Sequence, residues 1–102
     1  MIFVSAGYDG HFSDPLTTLT LDTKFYYLLT QKLVSWADQH CDGRIMYILE
    51  GGYDPLALRD NIQASLAAMW GQDDYPDHYG EKLGPITEIG ELITTIKAQH
   101  HL

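Results

Sequence analysis

Ile45-Met46-Tyr47-Ile48-Leu49-Glu50-Gly51-Gly52-Tyr53-Asp54-Pro55 is the stretch that decides the fold. Its apolar run has the length of a buried strand, and it stops at a carboxylate and two glycines. Asp54-Pro55 then reads as a helix start, with Asp as the N-cap and Pro at the first helical position, where a missing N–H costs nothing. Leu58, Ile62, Leu66 and Met69 recur at spacings of three and four and give that helix an apolar face, which Gly71 ends.

The same pattern precedes it. Met1 to Ala6 is a short apolar run that predicts a buried strand, and Gly7 to Pro15 is a loop of Gly, Asp, His, Ser and Pro. Thr20 or Asp22 can cap a helix continuing to about His40, with Gly43 as its stop. Phe25, Leu28, Leu29, Leu33 and Trp36 share one face of it and are expected in the core, and Cys41 is expected to be a small buried residue. Downstream, Asp73 to Gly84 is a polar, turn-rich connection. A last helix is expected from about Thr87 to Gln99, with Ile89, Leu92, Ile93 and Ile96 on one side.

The order is β-α-β-α-α, and the class is α/β. Two strands joined by a helix of this length are expected to be parallel. Both strands read as continuously apolar, so both faces of the sheet should be covered. Two strands and three helices are thin material for that, which implies a piece of a larger α/β domain or the need for a partner chain.

The net charge of −8 argues against a protein that binds a nucleic-acid backbone, which needs a basic face. No apolar run is long enough for a membrane span. Met1 to Ser5 lacks the basic start and long apolar core of a secretory signal. A single cysteine favours a reducing, cytoplasmic setting.

In open parallel sheets, ligands bind beyond the carboxyl ends of the strands. Two unusual segments fall there: Ser5-Ala6-Gly7-Tyr8-Asp9-Gly10-His11 after the first strand, and Glu50-Gly51-Gly52-Tyr53-Asp54 after the second. With neighbouring strands, Asp9 and Tyr53 emerge on one edge, where a carboxylate can hold a metal and a phenol can donate to a developing oxyanion. The plainer readings are a turn-capping Asp9, a packed Tyr53, and glycines serving only a tight turn.

The first segment, continued by Asp14-Pro15-Leu16, resembles the part of zinc-dependent deacetylases of the histone deacetylase/acetylpolyamine amidohydrolase family that supplies an aspartate zinc ligand. Leu49-Glu50-Gly51-Gly52-Tyr53 resembles that family's glycine turn bearing a transition-state tyrosine. The likeness covers residues 2 to 71 well and the rest of the chain more loosely, and Glu50 before the glycines resembles the bacterial and class II-like branch. It implies a three-layer arginase/deacetylase-like domain, of which residues 1–102 are an incomplete C-terminal part. It implies Asp9 as one of three protein ligands to a catalytic zinc, Tyr53 as hydroxyl donor to the amide oxygen, and Leu16, Gly51 and Gly52 along the substrate channel. His11 and Asp14 fall behind these groups. The implied substrate is an acetylated amine, acetyl-lysine or an acetylpolyamine, with potassium a further ion of the full-length protein.

The family's tandem histidines and its Asp-x-His ligand pair belong upstream of these motifs and are not in this chain. Asp9-Gly10-His11 has the Asp-x-His form, but its flanks match the third-ligand motif. His100-His101 lacks the flanking glycine and alanine of the catalytic pair. The expected partner is therefore the missing part of the domain or a second copy of the chain, and the competing expectation is a non-catalytic fragment or interaction module. A nucleotide site at Gly51-Gly52 is disfavoured, because Glu50 and Asp54 place carboxylates where a phosphate would sit.

Overall fold

A computed structural model describes residues 1–82 and 89–102. The elements are β1 (Ile2–Gly7), α1 (Thr23–Cys41), β2 (Ile45–Gly51), α2 (Pro55–Met69) and α3 (Gly90–Gln99). β1 and β2 pair in parallel, with Val4 beside Tyr47 and Ala6 beside Leu49. The register then shifts, so that Gly7 pairs with Gly51 and Glu50 is left over as a bulge.

The helix boundaries follow their caps. The Asp22 carboxylate accepts from Phe25 N–H at 2.9 Å and starts α1. Asp42 ends it in the left-handed region, followed by Gly43, also at positive φ. The Asp54 carboxylate accepts from the N–H groups of Leu56 and Ala57 at the start of α2, with Pro55 in the first turn. The last helix was expected from about Thr87; α3 begins at Gly90, and positions 87 and 88 lie outside the described residues.

One face of the sheet is covered. Ala6, Tyr8 and Tyr26 form a buried cluster with Val4, Leu21, Tyr47, Leu58 and Ile62, so α1 and α2 lie on the same side. The two helices meet along Tyr27, Ala64, Ala67 and Ala68, with Tyr75 stacked on Tyr27 at 4.8 Å. Small side chains there let the helix backbones approach closely. Polar pairs complete the interior: Thr23 donates to Asn61 (2.8 Å), Tyr47 to Thr30 (2.8 Å) and Tyr8 to Ser65 (3.0 Å).

That construction corrects the expected core. Phe25, Leu28, Leu29 and Trp36 are exposed and Leu33 is half-buried, because α1 presents Thr23, Tyr26, Tyr27, Thr30 and Ala37 to the interior. The seam is made from alanines and hydroxyls, leaving the larger apolar stripe outside. The opposite sheet face is likewise not covered by the described residues: Phe3 is 63% exposed, and Met46 and Ile48 are exposed beside it. The described residues supply two layers of the expected three. Cys41 is half-buried, not buried, and its thiol donates to the Arg44 carbonyl (3.3 Å). α3 buries none of its residues.

Candidate functional site

Both motif segments leave the sheet at its carboxyl edge, side by side. The Tyr8 N–H donates to the Gly51 carbonyl at 2.8 Å, extending the pairing of β1 and β2 one step past the bulge. The Asp9 side chain folds back over this junction. A Cβ at Gly7 would stand 2.9 Å from Asp9 Oδ1, and one at Gly51 would stand 3.0 Å away. Those two glycines are the room in which the Asp9 carboxylate lies. Gly52 has a different reason to be glycine: its φ is +133°, and a Cβ there would meet Leu58 Cδ1 at 2.8 Å and Tyr8 Cβ at 3.1 Å.

Asp9 is half-buried, and Thr17 Oγ1 donates to its backbone carbonyl, which fixes the main chain without using the carboxylate. Buried Tyr26 on α1 lies close by; burial pushes its hydroxyl up to about 12, with the negative charge of Asp9 adding to the rise. The Tyr26 hydroxyl would also lie 2.9 Å from a Cβ at Gly10. Sequence reasoning missed this tyrosine, since one aromatic on a helix carries no signal of the loop it will meet.

Tyr53 is 53% exposed at the mouth of the turn, and Leu16 is exposed across from it on the other loop. Asp14 is buried and joins the two: its Oδ1 accepts from Leu16 N–H (2.9 Å) and its Oδ2 from Tyr53 N–H (2.8 Å). The expectation for Asp14 was a place behind the site, and the structure adds this direct link to the tyrosine's backbone.

His11 is fully buried and stacks on Phe12 at 4.5 Å, with Tyr79 at 5.6 Å. Ser13 N–H donates to its Nδ1 (3.2 Å), which puts the ring proton on Nε2; that nitrogen is buried and has no partner among the described residues. Burial lowers the His11 pKa, against the opposing charges of Asp77, Asp54, Asp22 and Asp60. Tyr79 reaches over from the connection after α2 and donates to Asp54 Oδ2 (2.7 Å). Asp60, buried in α2, pins that connection by accepting from His78 N–H (2.6 Å). His100 and His101 sit exposed at the end of α3.

The Asp9 carboxylate, free of its loop's backbone bonding and cradled by two glycines, suits one ligand position of a hard or borderline divalent metal. Among the described residues no group of three His, Cys, Asp or Glu side chains comes together to hold a metal ion. A complete set therefore needs ligands beyond those residues. No described helix is long and apolar enough to cross a membrane.

The family model "Histone deacetylase domain" matches residues 1–69, which hold both motif segments. Across 106 aligned residues the chain is 33% identical to "Histone deacetylase 14, chloroplastic" of Arabidopsis thaliana, covering all of this chain and 25% of that protein. It is 35% identical to "Histone deacetylase 10, chloroplastic" of Oryza sativa subsp. japonica, covering all of this chain and 24% of the relative. A "Probable deacetylase" of Archaeoglobus fulgidus is 48% identical over 71% of this chain and 20% of its own length. The chain thus spans a quarter or less of these relatives.

Proposed function

The chain belongs to the histone deacetylase family, and on that premise we propose that residues 1–102 are part of one deacetylase-like α/β domain that hydrolyses the amide of an acetylated amine. The observation that carries the proposal is the meeting of the two motif segments: Asp9 nests against Gly51, two residues before Tyr53, on the edge where parallel sheets bind ligands.

In this reading Asp9 supplies one carboxylate ligand to zinc. When bound, zinc supplies Lewis acidity toward the amide carbonyl and activation of a water. Tyr53 donates its hydroxyl to the amide oxygen as negative charge gathers there, an interaction stronger in the transition state than with bound substrate. Leu16 lines the mouth, and the backbone of Gly51 and Gly52 lines the path of a narrow acylated chain. The substrate class is acetyl-lysine or an acetylpolyamine. A reducing, cytoplasmic setting rests on the single cysteine, while two of the relatives are named as chloroplastic. The remaining ligands and the acid-base groups come from further parts of the domain or a second copy.

A second reading is a truncated, non-catalytic fragment or interaction module of the same family. The test uses the full-length protein carrying this chain, with an acetyl-lysine peptide and an acetylpolyamine as substrates. Asp9→Ala is expected to lose both zinc and turnover. Tyr53→Phe is expected to keep zinc and slow turnover by about 10²–10³. Wild-type turnover in either variant removes the role assigned to that residue; zinc-free, inactive wild-type protein favours the module.

A further inference from the structure

We propose that Asp14 is a positioning residue that aims Tyr53, a role that rests on the reading of Tyr53 as hydroxyl donor. The turn carrying Tyr53 is intrinsically soft. It follows two glycines, one at a φ open to almost no other residue, and the exposed Tyr53 ring has little packing to orient it. Its backbone is instead held at two points. Upstream, the Gly51 carbonyl accepts from Tyr8 N–H (2.8 Å), and downstream Tyr53 N–H donates to Asp14 Oδ2 (2.8 Å).

The downstream hold is the stronger kind. A carboxylate acceptor forms a charge-assisted bond, and Asp14 is only 7% exposed, so water competes poorly for it. Asp14 is itself fixed. Its backbone N–H donates to the His11 carbonyl (2.9 Å), and its second carboxylate oxygen accepts from Leu16 N–H (2.9 Å). One side chain thereby sets the spacing between Leu16 at the mouth and Tyr53 at the chemistry, the latter 39 residues along the chain from Asp14. An error of about 1 Å in a positioned group can cost about a hundredfold in rate, which is why this hold bears on turnover and not only on stability.

The test is a double-mutant cycle in the full-length protein, with kcat, KM and bound zinc measured for each variant. Asp14→Ala is expected to lower kcat roughly ten- to a hundredfold with zinc retained. In a Tyr53→Phe background the same change is expected to lower kcat by less than about threefold, because the hydroxyl it serves is already gone. Asp14→Asn, nearly isosteric and keeping one acceptor oxygen, is expected to recover part of the loss, and it replaces Asp14→Ala in the cycle if that variant does not fold. An equal loss in both backgrounds, or loss of zinc along with kcat, overturns the proposal and leaves Tyr53's own role standing. Wild-type turnover in Tyr53→Phe alone overturns the reading of Tyr53, and this proposal with it.

Discussion

After β1 the chain travels from Tyr8 to Asp22 before α1 begins; after β2 only Gly52, Tyr53 and Asp54 precede α2. The long loop is held largely by its own bonds. Phe12 N–H donates to the Leu21 carbonyl (2.8 Å), Leu21 N–H to the Gly10 carbonyl (3.1 Å), and Thr17 to Asp9. The short turn takes its restraint from its surroundings: Tyr8 and Asp14 from the other loop, and the cap of α2 behind it. The self-bonded loop carries the carboxylate and also braces the glycine turn that carries the phenol. The Asp9 carboxylate and the Tyr53 phenol are thereby set relative to each other without a bulky side chain at the strand ends.

The sharpest way to break this arrangement is at Gly52. Alanine there meets both an unfavourable φ and close contacts with Leu58 and Tyr8, so Gly52→Ala is expected to destabilise by about 2–4 kcal/mol in urea unfolding. A midpoint unchanged from wild type would show that the turn relaxes freely.

Removing the cap behind the turn costs less: Asp54→Ala is expected to lose about 1 kcal/mol at neutral pH. Burial raises the Asp54 pKa, but hydrogen bonds from Tyr79, Ala57, Ser13 and Leu56 outweigh it and hold the carboxyl below its ordinary 3.8. A lowered native pKa means that the contribution is present above about pH 4 and is lost as pH falls through the native value. Wild type and variant should therefore converge in stability in that acid range, and a constant gap down to pH 2 would contradict the capping account.

Gly51→Ala is expected to have the smallest effect on stability, a few tenths of a kcal/mol, since a flexible carboxylate can move aside. With Asp9 as the proposed metal ligand, metal affinity of the full-length protein is expected to fall about tenfold, because the displaced group is Asp9. A Gly51→Ala variant that keeps full affinity would separate Asp9 from the metal.

The elements that place the site were legible in the sequence because their ends carry chemistry of their own. Asp22 and Asp54 cap where expected, and the strand runs and their parallel neighbourhood follow from length and order. Burial was not legible to the same degree. Helical spacing shows that Phe25, Leu28, Leu29 and Trp36 share a side of α1, but not that Thr23 would pair with Asn61 and Thr30 with Tyr47 inside and leave that side out. Within the site, Asp14 bonding to Leu16 is a local turn that Asp-Pro suggests. Its bond to Tyr53 has no sequence signal, because it depends on the register of two strands and on the bulge at Glu50.

That bond also has a meaning in time. Asp14 and Tyr53 are separated by the whole of α1 and β2, so the contact between them is of high sequence separation and closes only after the crossover has formed. A chain emerging from its N-terminus presents Asp9 and Asp14 to solvent while the tyrosine they await is still unmade. Leu16 and Tyr53 therefore come into register only through a contact that the crossover must first close, so a chain folded no further than its first loop is expected to carry the carboxylates without the phenol beside them.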